Sequence, residues 1–165
     1  MKKRVCLALL LVLFLSACGS GKPEQPEDGL VLWFRADTEA NHGPALAKQP
    51  YEGEAEPEDL LAALLAGPTQ EGCVSPFPRG VSLVRCQWDE ELPGTLTVDL
   101  SEQYGALADV SLTLADYCIV LTLSQVKGVE GVEINSAGHS ISYRSHQLLS
   151  AEEAVLWDDL AEEAA

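Results

Sequence analysis

Five cysteines and three histidines are the side chains here best suited to covalent or metal chemistry. Cys118 lies in "ADYCIVLTL" and His139 opens "HSISY". A thiol near a helix start can be acidified by the helix dipole. A histidine on a strand can take its proton, and the two need only meet in space to act as nucleophile and base. Two features oppose that reading. Ile119 and Val120 follow Cys118 directly and would crowd a substrate, and Cys118 shares an apolar stripe with Leu114 and Leu121. Free cysteine most often behaves as a small buried hydrophobe, so core filling is the expectation for Cys118. Metal chemistry finds less support. Cys18, Cys73, Cys86, Cys118, His42, His139 and His146 form no Cys-x-x-Cys or His-x-x-x-His pair, and no Asp-x-Asp-x-Asp-Gly loop occurs. No metal site, cofactor or catalytic residue is therefore expected.

Cys18 has a different setting. Lys2, Lys3 and Arg4 precede an unbroken apolar run from Val5 to Leu15, and Ser16 and Ala17 follow it. The run is shorter than the roughly 20 residues a bilayer span needs. A basic start, a short apolar middle and small residues before a break mark a secretory signal. The sequence Leu15-Ser16-Ala17-Cys18 resembles the lipobox of bacterial lipoproteins. That resemblance implies cleavage after residue 17 and a diacylglycerol on Cys18, with acyl chains of the palmitate kind. Two or three such chains anchor a protein firmly, at about 0.8 kcal/mol per buried methylene. The expected location is the extracytoplasmic face of the cell membrane. Three thiols remain. Cys73 and Cys86 can bridge a loop of about a dozen residues, worth about 3 kcal/mol in the chain-entropy model. Equally, all three can stay reduced, since export permits a disulfide without requiring one.

The charge balance restricts partners. The 165-residue chain carries 10 Lys+Arg against 26 Asp+Glu, a net of −16. Removing Lys2, Lys3 and Arg4 with the signal leaves 7 − 26 = −19. Nucleic-acid binding needs cations to displace counterions from phosphates, so it is not expected. Adhesion to an anionic membrane surface is excluded on the same ground, which leaves attachment to the lipid.

These side chains need elements to position them. Residues 18–29, containing "GSGKPEQPEDG", read as a flexible tether. Residues 30–149 are one domain's length of alternating apolar runs and turn signals. "LVLWF" (Leu30 to Phe34) is apolar on both faces, as in a strand covered on both sides, with a short return strand near Ala45 to Ala47. "PEDLLAALLAGP" is a helix. Pro57 takes its first position, Leu60, Leu61, Leu64 and Leu65 form its apolar face, and Gly67 supplies a left-handed cap. "GVSLVRCQW" is a strand with Val84, Cys86 and Trp88 on one face. "TLTVDL" is a strand with Leu96, Val98 and Leu100 inward. Ser111 or Thr113 caps the next helix, with Asp116 completing a variant capping box. Its stripe runs through Leu114, Tyr117, Cys118, Leu121 and Gln125, and Gly128 ends it. "VEGVEIN" is a strand, "SAG" a tight turn and "HSISYRSH" a last strand. Residues 150–165 form an acidic C-terminal helix capped by Ser150 and Glu153, with Trp157 as its docking anchor. Trp33 and Trp88 are expected in the core. The sum is an α+β domain, a small mixed sheet with two helices packed on it plus the short C-terminal helix.

Four phrases in order then carry a resemblance. "LLAGPTQEG" (Leu64 to Gly72), "PFPRGVSL" (Pro76 to Leu83), "TVDLS" (Thr97 to Ser101) and "IVLTLSQVKGVEGVEI" (Ile119 to Ile134) resemble the GerMN domain of sporulation and spore-germination proteins. The resemblance spans Leu30 to Ser145. It implies a fold similar to ring-building motifs, no catalytic residues, and a binding or assembly role at the cell envelope among envelope proteins or further copies of itself. An arginine common near the end of the family's return strand is absent here, where only Lys48 stands. Two other readings compete. Cys118 and His139 resemble the pair of NlpC/P60-type wall hydrolases, but that nucleophile is usually followed by Ser-Gly and the interval here is short. A peptidoglycan-binding module would instead need an exposed aromatic residue in a groove.

Overall fold

The computed structural model describes residues 29–37, 45–140 and 148–154. The signal segment, Cys18, the tether up to residue 28, His42, His146, most of the last strand, Trp157 and the acidic helix beyond residue 154 lie outside them.

The strands divide between two sheets. β1 (Leu30–Ala36) pairs antiparallel with β2 (Leu46–Tyr51) along its length and with β3 (Cys73–Val74) at Arg35 and Ala36 only. The second sheet runs β4 (Leu83–Trp88), β5 (Thr95–Leu100), β6 (Gly131–Ser136). β7 (His139–Ser140) and β8 (Leu148–Leu149) both pair with β6. β4 is antiparallel to β5 and β6 is parallel to it, so this sheet is mixed. A parallel neighbour requires a crossover, and helix α2 (Asp109–Leu123) supplies it. Helix α1 (Pro57–Ala66) follows β2. The α+β architecture with two helices is as the sequence suggested, and the finer division into two sheets is new.

The core lies between helices and sheets. Leu32 and Phe34 of β1, Leu60, Leu61 and Leu64 of α1, Ile119, Val120 and Leu123 of α2, and Val98, Val132 and Ile134 of the second sheet are all buried. Burying one such side chain contributes about 1.5–3 kcal/mol. Pro57 takes the first turn of α1 with Glu58 and Asp59 beside it, where the dipole favours acids. Gly67 does end that helix with a positive φ of 93°, but its ψ of 169° leads into extended chain rather than a left-handed turn. At the β6–β7 hairpin, Ala137 and Gly138 have φ of 51° and 74° between paired Ser136 and His139. Positive φ at both central residues is the type I′ signature, whose twist matches the strands.

Several expectations are corrected. β1 is not covered on both faces: Leu30, Leu32 and Phe34 face the core while Val31 and Trp33 are half-buried. β2 runs to Tyr51, well beyond the short return strand expected. Trp88 is 46 % exposed and Val84 64 %, so neither is core. A register shift between Leu83 and Arg85 explains Val84, since the extra residue of a bulge leaves the alternation. Trp88 follows Cys86 on the core side but sits at the strand's end, beside Gly128. Helix α2 stops at Leu123, before Gly128, and starts without a side-chain cap. Its most buried residues include Leu112, Ala115 and Ile119, while Leu114, Tyr117 and Leu121 are half-buried. Asp116 makes no capping box, because it accepts a 2.5 Å bond from the Tyr104 hydroxyl inside the core. The reciprocal Ser150–Glu153 bonds are present. Glu153 accepts from the Ser150 N–H at 2.9 Å and donates its own N–H to Ser150 Oγ at 3.4 Å.

One feature of packing stabilises the β1 edge. β3 covers only its last two residues, which leaves the Val31 and Trp33 N–H groups facing α2. Thr122 Oγ1 accepts from Trp33 at 3.1 Å. The Gln125 side-chain amide accepts from the Val31 N–H at 3.0 Å and donates to the Val31 carbonyl at 2.7 Å. Gln125 therefore takes the place of one peptide unit of a neighbouring strand. An edge left open would invite pairing with other chains.

Candidate functional site

Helix α2 carries Cys118 into the core with no exposed surface. Burial pushes its thiol up to about 12, against a smaller opposing effect of the Arg35 charge. At neutral pH almost none is thiolate, and the thiolate is the nucleophile. His139 sits on β7, opposite Ser136 at the hairpin turn. Cys118 thus fills core space, as expected of a free cysteine, and no substrate reaches its sulfur. Cys73 on β3 and Cys86 on β4 lie in different sheets as half-buried free thiols, with no disulfide between them in the structure. Burial, and secondarily the Glu58 carboxylate, raises Cys86 to about 11, and burial raises Cys73. Among the described residues no three His, Cys, Asp or Glu side chains gather in a way that could hold a metal ion.

The feature best suited to recognition is a groove of about 260 Å³ between the end of β1 and the start of α2. It is built from the bottom up by short-range constraints. β3 pairs Val74 with Arg35, so the segment that follows, Ser75 to Pro78, lies beside the arginine. Pro76 and Pro78 fix φ on either side of Phe77. The Phe77 N–H donates to Ser75 Oγ at 3.3 Å. The Phe77 ring packs tilted on Tyr104, with centroids 6.3 Å apart. Tyr104 lies in the short 3-10 turn Glu102–Ala106 and is fully buried, and its bond to Asp116 ties that turn to α2. One wall of the groove is thereby locked to the core. Leu107, Ser111 and Leu114 form the other wall.

A strained backbone position lies next to the groove, between its lining residues Leu107 and Ser111. Asp109, the first residue of α2, has φ 51°, and the cap residue Ala108 offers no side-chain acceptor to the first turn. Left-handed non-glycine residues cost energy and gather at functional sites. Val110 beside it is 70 % exposed, the most exposed large apolar residue described.

Charge distinguishes the groove further. Arg85 is taken by Asp99 at 2.6 Å, Lys48 lies over the Trp33 ring at 4.7 Å, and Arg79 and Lys127 line none of the described hollows. The Arg35 guanidinium makes no ion pair or side-chain hydrogen bond among the described residues and opens into the groove with two serine hydroxyls. The lining has a cation, hydroxyls and apolar walls but no activated nucleophile, no base and no metal ligand. Such a lining offers groups that can recognise a ligand. A larger hollow of about 420 Å³ beside Leu92 and Leu148 has Glu130 and Glu153 in its lining and no cation. Sequence reasoning missed Arg35, since nothing near it in the chain pairs with it. The only signal was its scarcity as a cation in an acidic chain. Phe77 stood inside one of the four diagnostic phrases, without an assigned role.

Comparisons with known proteins agree with the fold. A family model described as Germane, sporulation and spore germination, matches residues 31–142. The first GerMN domain of the sporulation protein GerM from Bacillus subtilis superposes with a TM-score of 0.57 at 15% identity, over 74% of this chain and 97% of that one. A candidate lipoprotein from Clostridium perfringens superposes with a TM-score of 0.51 at 17% identity, over 80% of this chain and 95% of that one. A search of curated protein sequences finds no match.

Proposed function

We propose, since the chain belongs to the Germane family of sporulation and spore germination, that it is a lipid-anchored, non-enzymatic binding or assembly module at the cell envelope. Its place is the extracytoplasmic face of the membrane, held by lipid on Cys18, and its process is spore formation or germination. The observation that carries the non-enzymatic reading is Cys118: the one thiol with a nucleophile's sequence setting is fully buried and stays protonated to about pH 12. The groove at Arg35 supports binding in its place, since its lining offers recognition groups without reactive ones. No helix among the described residues is long and apolar enough to cross a membrane.

The reading is tested by photocrosslinking from the domain surface in intact sporulating cells. The expected result is adducts of discrete mass to envelope proteins. Adducts only to cell-wall glycan would instead make the domain a peptidoglycan binder, and absence of adducts from every exposed position would refute the module.

A further inference from the structure

We infer that the Arg35 groove takes an acidic side chain, Asp or Glu, flanked by an apolar residue, on an extended segment of a partner protein. The inference rests on the binding-module reading above and gives that module its ligand chemistry. Charge complementarity is the first argument. Among the described residues Arg35, Arg79 and Lys127 have no ionic partner, and Arg35 is the one of them that lines a described groove. Arg85 is occupied by Asp99 and Lys48 by the Trp33 ring. Arg35 faces the groove beside the Ser75 and Ser111 hydroxyls. A planar guanidinium with five donors matches a carboxylate, and hydroxyls satisfy the remaining lone pairs.

Shape is the second argument. Phe77 and Leu114 supply apolar walls beside that polar end, and the Phe77 wall is fixed through Tyr104 and Asp116. A volume of about 260 Å³ suits one or two side chains rather than a folded surface. A terminal carboxylate is characteristically captured by a nest of backbone N–H groups. The donors here are side chains with reach, which suits an acid at the end of a side chain. Val110 is exposed and lies four residues before the lining residue Leu114 on α2, so it shares that helix face and can meet the segment's next residue.

The test uses the full-length lipidated chain in detergent micelles. The probes are fluorescein-labelled hexapeptides Gly-Pro-Leu-Glu-Leu-Pro with an amidated C-terminus, the same peptide with Gln for Glu, and the Gln peptide with a free C-terminal carboxylate. Anisotropy is expected to show the Glu peptide binding about tenfold more tightly than either Gln peptide. Arg35→Gln removes that difference, while Lys127→Gln, on a distant exposed cation, preserves it. Thermal melts confirm that both variants fold. Equal binding of the Glu and amidated Gln peptides, no effect of Arg35→Gln, or no binding of any probe overturns the inference. Preference for the free-carboxylate Gln peptide over the Glu peptide overturns the assignment to a side chain. If these peptides fail while in-cell protein adducts persist, the ligand chemistry falls and the module stands. Loss of both overturns the module as well.

Discussion

Three thiols show how environment decides what a residue can do. Cys118, Cys86 and Cys73 share one chemistry, yet their surroundings grade them from sealed to half-open. From an ordinary value of 9.0, burial raises Cys118 to about 12 and Cys86 to about 11. A group raised in the folded state leaves stability on its plateau below the unfolded value. That stability is lost as pH climbs from about 9 through 11 and 12, because the unfolded chain ionises first. Urea unfolding is therefore expected to show a lower midpoint at about pH 10 than at about pH 8, with a smaller loss in Cys118→Ala. A midpoint equally pH-dependent with and without Cys118 would contradict the burial argument. At the same scale, sequence reasoning placed Cys118 in the core correctly, although Leu114, Tyr117 and Leu121 of the stripe assigned to it are only half-buried. It misplaced Asp116. Thr113 and Asp116 have capping-box spacing, but the competing partner, Tyr104, comes from another segment and wins by burial.

Elements were legible where periodicity was strong. Leu96, Val98 and Leu100 are buried as their alternation predicts, though Thr95 and Asp99 are buried too, and of the expected helix face Leu60, Leu61 and Leu64 are buried while Leu65 is half-buried. The ends of α2 were not legible. Its start carries no capping side chain and its stop at Leu123 precedes the nearest glycine by several residues, so neither boundary has a sequence mark. The exposure of Val84 and Trp88 depends on a bulge and on a sheet edge, and both are properties of pairing rather than of the strand itself. The role of Gln125 was hidden similarly. It stood in the longest diagnostic phrase, yet only the packing of α2 against β1 shows it bonding both backbone groups of Val31. Gln125→Ala leaves those groups unpaired and is expected to destabilise the domain by about 2 kcal/mol. Denaturant titration measures it, and faster hydrogen exchange at Val31 would localise the loss. A change below about 0.5 kcal/mol would mean that water replaces the amide at no cost.

For the whole molecule, the proposed function makes anchoring and recognition separable. Cys18→Ala is expected to move the protein from membrane to soluble fractions on cell fractionation without changing the melt of the folded domain. Retention in the membrane would overturn the lipid anchor. The domain so released keeps its Arg35 groove, built wholly within residues 35–114. The central claim is that this surface acts by binding and that its buried thiol does no chemistry. The most direct measurement is the yield of protein adducts from a photoreactive residue replacing Val110, in intact sporulating cells. Three backgrounds are compared: unaltered, Cys118→Ala and Arg35→Gln. The account predicts equal yields for the first two and a yield about tenfold lower for Arg35→Gln. Loss of adducts in Cys118→Ala with the fold intact, or full retention in Arg35→Gln, would contradict it.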